Sequence, residues 1–242
     1  MTMPEWNGFK RIDFKFSGKE AILIFPEEGS GTGRWLLKTE YFDAFPDMEI
    51  EFLKRGFHLA YVKNVTRWGS EEDQDTKFEL AKFLSREYGL SSKCVPIGMS
   101  CGGLHAVNLA ASHPECVSVL YLDAPVMNLL SCPASLGKAK YDEELWKEFY
   151  EHKGITLSEL ISYRQHPIDK MDILLKNNIP IAMVYGDSDT VVPYSENGAI
   201  LERYYRDNGG TILAIGKEGC GHHPHCLKDS TPVIEFIAEH CR

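Results

Sequence analysis

Ser100 stands in Gly98-Met99-Ser100-Cys101-Gly102-Gly103, a hydroxyl with a glycine two residues away on either side. A serine hydroxyl is a weak nucleophile near neutral pH and needs a neighbouring base, itself oriented by an acid. Downstream segments supply both residue types. Carboxylates occur in Gly186-Asp187-Ser188-Asp189-Thr190-Val191-Val192-Pro193, and imidazoles in Gly219-Cys220-Gly221-His222-His223-Pro224-His225. Serine, acid and histidine in that order could carry out acyl transfer, provided the fold brings the three segments together. Glycine and serine are common, so G-x-S-x-G gains its weight from the elements around it.

Those elements alternate. Residues 10–16 place Ile12, Phe14 and Phe16 between charged neighbours, as a half-exposed strand does. Ser17-Gly18 turns this strand into 21–25, an antiparallel hairpin, and a third strand begins at 35–37. A helix is predicted over 45–55, stopping at Gly56, before a buried strand over 57–62. Ser70 ahead of Glu71, Glu72 and Asp73 reads as a helix start, with Leu80, Ala81, Leu84 and Tyr88 on one face and Gly89 as the stop. Strands follow at 94–98, 117–122, 179–185 and 211–215, with helices at 102–113, at 195–208 and from Pro232 onward. Strands parted by helices predict a parallel sheet covered on both faces.

Ser100 then falls on a sharp strand-to-helix turn. Strain there lifts its hydroxyl off the sheet and sets the N–H of Cys101 beside a helix N-terminus, able to stabilise an oxyanion. The acid and histidine segments follow strands on the same sheet edge. Residues 126–170 break the rhythm and hold Trp146, Phe149 and Tyr150 in a charged, helical setting. They predict a small helical cap over the strand C-termini, with the aromatic group as its packing.

With G-x-S-x-G-G, G-D-x-D-x-x-V-P and G-x-G-H in this order, the chain resembles the α/β-hydrolase-fold serine esterases and lipases along essentially its whole length. The resemblance implies an α/β-hydrolase fold in a single domain, 1–242, with a mostly parallel central sheet, helices on both faces and a cap at about 126–170. It assigns the acid to the second Asp of its motif, Asp189, and the base to His222. Asp187 suits a turn-tightening role. Asp123 occupies the place where some hydrolases of this fold carry the acid, and His223 and then His225 compete for the base. Many relatives show His-Gly after the third strand to supply a second oxyanion donor. Here the stretch is Leu37-Lys38-Thr39-Glu40-Tyr41, without glycine, so a main-chain N–H of Thr39, Glu40 or Tyr41 is expected to serve; Glu40 is the residue chosen, beside Cys101.

The activity implied is hydrolysis of short- to medium-chain carboxylic esters through an acyl-enzyme, with no cofactor. Three alternatives accompany it. One is a carbohydrate acetyl esterase. Another is a serine peptidase of the prolyl-oligopeptidase type, which usually carries a propeller domain that these residues do not include. The last is an inactive binding protein on the same fold.

Composition narrows the partners. A net charge of −9 over 242 residues opposes a nucleic-acid backbone, and no run of about 18 apolar residues reads as a membrane span. The N-terminus shows no basic stretch followed by an apolar one, and seven cysteines suit a reduced, cytoplasmic protein better than a disulfide framework. A small-molecule ester is the expected partner. Cys220, His222, His223, His225 and Cys226 are metal-competent but crowded, with no C-x-x-C or H-E-x-x-H beside them, so no metal is expected. Cys101 is read as structural in its thiol. Residues 28–33 resemble a phosphate loop but lack its G-K-[ST] ending and precede a strand.

Overall fold

A computed structural model describes residues 4–241; Met1–Met3, part of the N-terminal stretch without a leader pattern, and Arg242 lie outside the described residues. The strands are β1 (Glu5–Trp6), β2 (Phe9–Phe16), β3 (Lys19–Ile24), β4 (Trp35–Lys38), β5 (His58–Val62), β6 (Val95–Met99), β7 (Leu120–Asp123), β8 (Ile181–Gly186) and β9 (Ile212–Lys217). They form one nine-stranded sheet in the order β1-β2-β3-β5-β4-β6-β7-β8-β9. Pairing is antiparallel from β1 to β5 and parallel from there to β9. The opening hairpin feeding a parallel sheet is the α/β-hydrolase arrangement expected from the sequence.

The helices are α1 (Asp47–Lys54), α2 (Glu71–Tyr88), α3 (Cys101–Ser112), α4 (Glu143–Lys153), α5 (Leu157–Ser162), α6 (Met171–Lys176), α7 (Gly198–Asp207) and α8 (Thr231–His240). Successive residues of a strand point to opposite faces, and the core divides accordingly. Trp35 and Leu37 join one cluster with Leu80, Leu84, Val107 and Leu201, from α2, α3 and α7. Leu36 joins the other with Phe52, Leu53, Ile234 and Ile237, from α1 and α8. Helices therefore cover both faces. This is why β4, β6 and β7 are buried along their whole length, and β3 from Ala21 onward and β8 nearly so, while β2 alternates. Among the described residues no helix is long and apolar enough to cross a membrane.

Local signals set the element ends. Ser70 accepts from the Asp73 N–H while the Asp73 carboxylate accepts from the Ser70 N–H, a reciprocal cap, and Gly89 closes α2 at φ 66°. Other boundaries differ from expectation. The first helix starts at Asp47, not at residue 45: Phe45 takes φ 48° and turns away from the helix. The helix expected over 195–208 is a 3-10 turn, Tyr194–Glu196, followed by α7. The break falls at buried Asn197, whose Oδ1 accepts from the N–H of Met127 and Asn128 and whose Nδ2 donates to Pro193 O. That side chain fastens the start of the insertion to the loop after β8.

The insertion holds α4 and α5, then a 3-10 turn, Pro167–Lys170, that runs into α6. Buried Phe149 meets Trp68 edge-on at 5.3 Å and Trp146 at 5.5 Å, and Leu160, Leu129 and Val192 complete a third cluster against Cys101. The cap therefore packs on the turn that carries Ser100.

Candidate active site

Ser100 sits between β6 and α3 at φ 52° and ψ −120°, a conformation that a residue with a side chain holds only when its surroundings enforce it. Its N–H donates to Asp123 O and its carbonyl accepts from Val126 N–H, pinning the turn to β7. The flanking glycines are required by space. A Cβ on Gly98 would lie 2.5 Å from Gly102 O, and one on Gly103 would lie 2.4 Å from the Pro125 Cβ.

Strand register brings the other groups to this edge: Met99 pairs with Asp123, and Asp123 with Val184 one strand further on. Beyond β8, Asp189 is buried, and its Oδ1 accepts from the N–H of Val191 and Val192. Its Oδ2 lies 2.7 Å from His222 Nδ1, and His222 Nε2 lies 3.1 Å from Ser100 Oγ. An ionised carboxylate only accepts, so Nδ1 carries the proton and Nε2 presents a lone pair to the hydroxyl. Burial pushes the Asp189 carboxyl up, but the His222 bond and charge together with the two loop N–H groups more than reverse this, leaving it below the ordinary carboxylate value.

Asp187 has a role that turn-tightening only half describes. Its Oδ1 accepts from Gly219 N–H at 2.8 Å and from the Ser188 hydroxyl at 2.9 Å, tying the acid loop to the histidine loop. Asp123, the competing acid, is engaged elsewhere. It accepts from His225 Nδ1 at 2.9 Å, from Cys226 N–H at 2.5 Å and from the Tyr121 hydroxyl at 3.2 Å. His225 and Asp123 thus make a second buried imidazole–carboxylate pair beside the first. His223 is exposed and stacks on Phe45, ring centroids 5.8 Å apart, and partial burial with two neighbouring imidazoles keeps it below the usual histidine value.

A cavity of about 310 Å³ opens over Ser100 and His222, walled by Ala44, Phe45, Met99, Cys132, Leu145 and Val191. Arg67 is the cation in its wall and is paired with Glu148 at 2.9 Å. No carboxylate lines the cavity among the described residues. Phe45 and Leu145 were not anticipated as wall residues. The aromatic group of the insertion packs elsewhere: Phe149 is buried against Trp68, and Tyr150 is exposed. Cys101 is buried, and burial pushes its thiol up to about 11, so it holds its proton.

Among the three candidate second donors, the Thr39 N–H is already bonded to Ile97 O. Glu40 lies against Gly102, its carboxylate accepting from Asn64 Nδ2 at 2.5 Å, and does not line the cavity. Tyr41, next in the chain at φ 53°, does line it.

A hydroxyl, an imidazole and a carboxylate in this contact can pass a proton from oxygen to nitrogen as the oxygen attacks an electrophile. A sequence model of the prolyl oligopeptidase family matches residues 56–239. No curated protein sequence matches the chain. Similar solved structures include an acylaminoacyl peptidase from Pyrococcus horikoshii, with a TM-score of 0.72 and 16% identity over 99% of this chain and 44% of that one. They include dipeptidyl peptidase 4 from Porphyromonas gingivalis, with a TM-score of 0.70 and 12% identity over 98% and 36%. Est1E from Butyrivibrio proteoclasticus has a TM-score of 0.66 and 14% identity over 96% and 98%. The chain spans less than half the length of the two peptidases and nearly all of Est1E.

Proposed function

The chain belongs to the prolyl oligopeptidase family, within the α/β-hydrolase superfamily of serine hydrolases, and from that premise we propose that it cleaves carboxylic esters of short to medium acyl chains. The observation that carries this is His222 bridging Ser100 and Asp189 at the floor of an apolar cavity of about 310 Å³. Ser100 attacks the acyl carbon while His222 Nε2 takes its proton; the same proton then goes to the departing alcohol. Asp189 holds the tautomer and offsets the charge on the imidazolium. The Cys101 N–H and one from residues 40–41 face the developing oxyanion. Water, deprotonated by His222, then releases the acid.

Two features favour an ester over a peptide with a free amine. The cavity volume sits at the small end of ligand sites, and among the described residues its wall offers no carboxylate to hold an ammonium group. The family match favours the peptidase reading instead, since the family model is that of a peptidase; the triad does not separate the two, because their catalytic chemistry is shared. Seven free thiols, six of them buried, suit a reducing compartment, and we place the protein in the cytoplasm.

The test is hydrolysis of p-nitrophenyl esters from acetate to palmitate beside acyl-amino p-nitroanilides, wild type against Ser100→Ala. Serine-dependent turnover peaking on short or medium esters supports the proposal. Turnover confined to anilides makes the protein a peptidase. No turnover, with Ser100 also unreactive to a fluorophosphonate, leaves a binding protein.

A further inference from the structure

His222, His223 and His225 form a nearly equilateral triangle of imidazoles. Their ring centroids lie 4.9, 5.0 and 4.9 Å apart, and each pair meets edge-on. One ring nitrogen from each lies within 4.8 Å of the others. Two of the rings are already fixed from behind, His222 by Asp189 and His225 by Asp123, each through Nδ1. A carboxylate behind an imidazole is the outer support that zinc-binding histidines use: it fixes the tautomer and makes the remaining nitrogen a better donor. His223 is exposed, so an ion can reach the cluster from solvent.

We propose that these three histidines bind a first-row divalent ion such as Zn²⁺, and that the bound ion switches the hydrolase off. Three neutral nitrogen donors with one side open to the cavity match a three-histidine zinc site with a free fourth position, whereas calcium and magnesium seek oxygen. Zn–N bonds of about 2.1 Å place tetrahedral donors roughly 3.4 Å apart, so the widest pair closes by on the order of 1 Å. Arg67, the cation in the cavity wall, is offset by Glu148. Inhibition follows from the same lone pair having two uses: His222 Nε2 can take the Ser100 proton or the metal, not both. This regulatory half rests on the hydrolase reading above. The binding half does not.

The experiment measures the halves separately, on the wild type, His223→Ala and His223→Asn, with apo melting curves as the folding control. Co²⁺ is titrated as a spectroscopic probe and Zn²⁺ by calorimetry; turnover is then followed against Zn²⁺, with chelator added back. One ion per chain is expected, with the visible bands of four-coordinate Co²⁺. Both His223 variants should bind at least tenfold more weakly, and zinc inhibition, chelator-reversible in the wild type, should need at least tenfold more metal relative to each variant's own uninhibited rate. Absent binding, or binding and inhibition indifferent to both His223 changes, overturns the proposal. Binding that depends on His223 in a protein with no turnover keeps the metal site and removes the hydrolase; turnover without such binding does the reverse.

Discussion

Asp123 ends β7 and Asp189 follows the neighbouring parallel strand β8, and each holds one histidine of the same loop, His225 and His222 respectively. Asp189 and Asp123, its competitor for the role of acid, are therefore each a buried carboxylate with an imidazole partner. Contact with Ser100 separates them: His222 reaches the hydroxyl at 3.1 Å, while His225 packs edge-on against His222. The first pair touches the hydroxyl, and the second packs beside the first.

Removing the nucleophile or its base should abolish turnover. Ser100→Ala and His222→Ala are each expected to lower kcat by about 10⁴-fold or more. His223→Ala should keep a substantial part of the activity, because its ring contacts Phe45 and not the hydroxyl. Steady-state kinetics on one ester decide this, and a collapse in His223→Ala with survival in His222→Ala would reverse the assignment.

Asp123→Asn should cost stability in a pH-dependent way. Burial raises the Asp123 carboxyl, but the bond and charge of His225, the Lys217 ammonium and the Cys226 N–H bring it below its usual value. A carboxyl lowered by folding stabilises the protein fully above its unfolded value, about 3.9, and that contribution fades as pH falls through the lower folded value. The variant should lose about 2 kcal/mol at neutral pH, and the gap should narrow in acid below that unfolded value. Urea unfolding at several pH values measures it; a gap of constant width would remove the carboxylate from the explanation.

Gly103→Ala tests how tightly the serine turn is built. The new methyl would meet the Pro125 Cβ at 2.4 Å, against backbone that cannot retreat without dragging Ser100. Melting temperature should fall by several degrees, as expected for overpacking costs of about 1–3 kcal/mol, and kcat should fall with it. Gly221→Ala, where the added methyl meets nothing within 4 Å, is the control.

Tyr41→Phe separates two sources of the second oxyanion donor. If the main chain serves, removing the phenol leaves kcat within about tenfold, since every N–H is kept. A loss of about 10²–10³, the effect of deleting one donor, would assign the role to the Tyr41 hydroxyl.

Much of the fold was legible because its signals are local. Ser70 with its acids and Gly89 mark both ends of α2, and the Ser100 turn declares itself through the glycines its geometry requires. The departures come from distant contacts. Phe45 continues the apolar spacing of α1, yet Pro46 follows it and its ring is drawn to the histidines of a loop far along the chain. The pairing of Asp123 with His225 joins positions 102 apart, and no spacing rule reaches that far. Asp187 read as a local turn residue because its partner, Gly219, belongs to another loop. The second donor stayed ambiguous because a main-chain N–H leaves no mark on residue type.

The joint between Trp68 and Phe149 places the cap's aromatic weight on the body of the protein, away from the cavity, while Leu145 is what α4 brings to the wall. The hydrogen-bonded Ser100, His222 and Asp189 all lie outside the insertion, whereas Leu145 lies within it. A substitution at Leu145 should change the shape of the cavity, and on the ester reading the room for an acyl group, while leaving the Ser100–His222–Asp189 contacts in place. Replacing the whole of 143–162 would have to respect one aromatic seam.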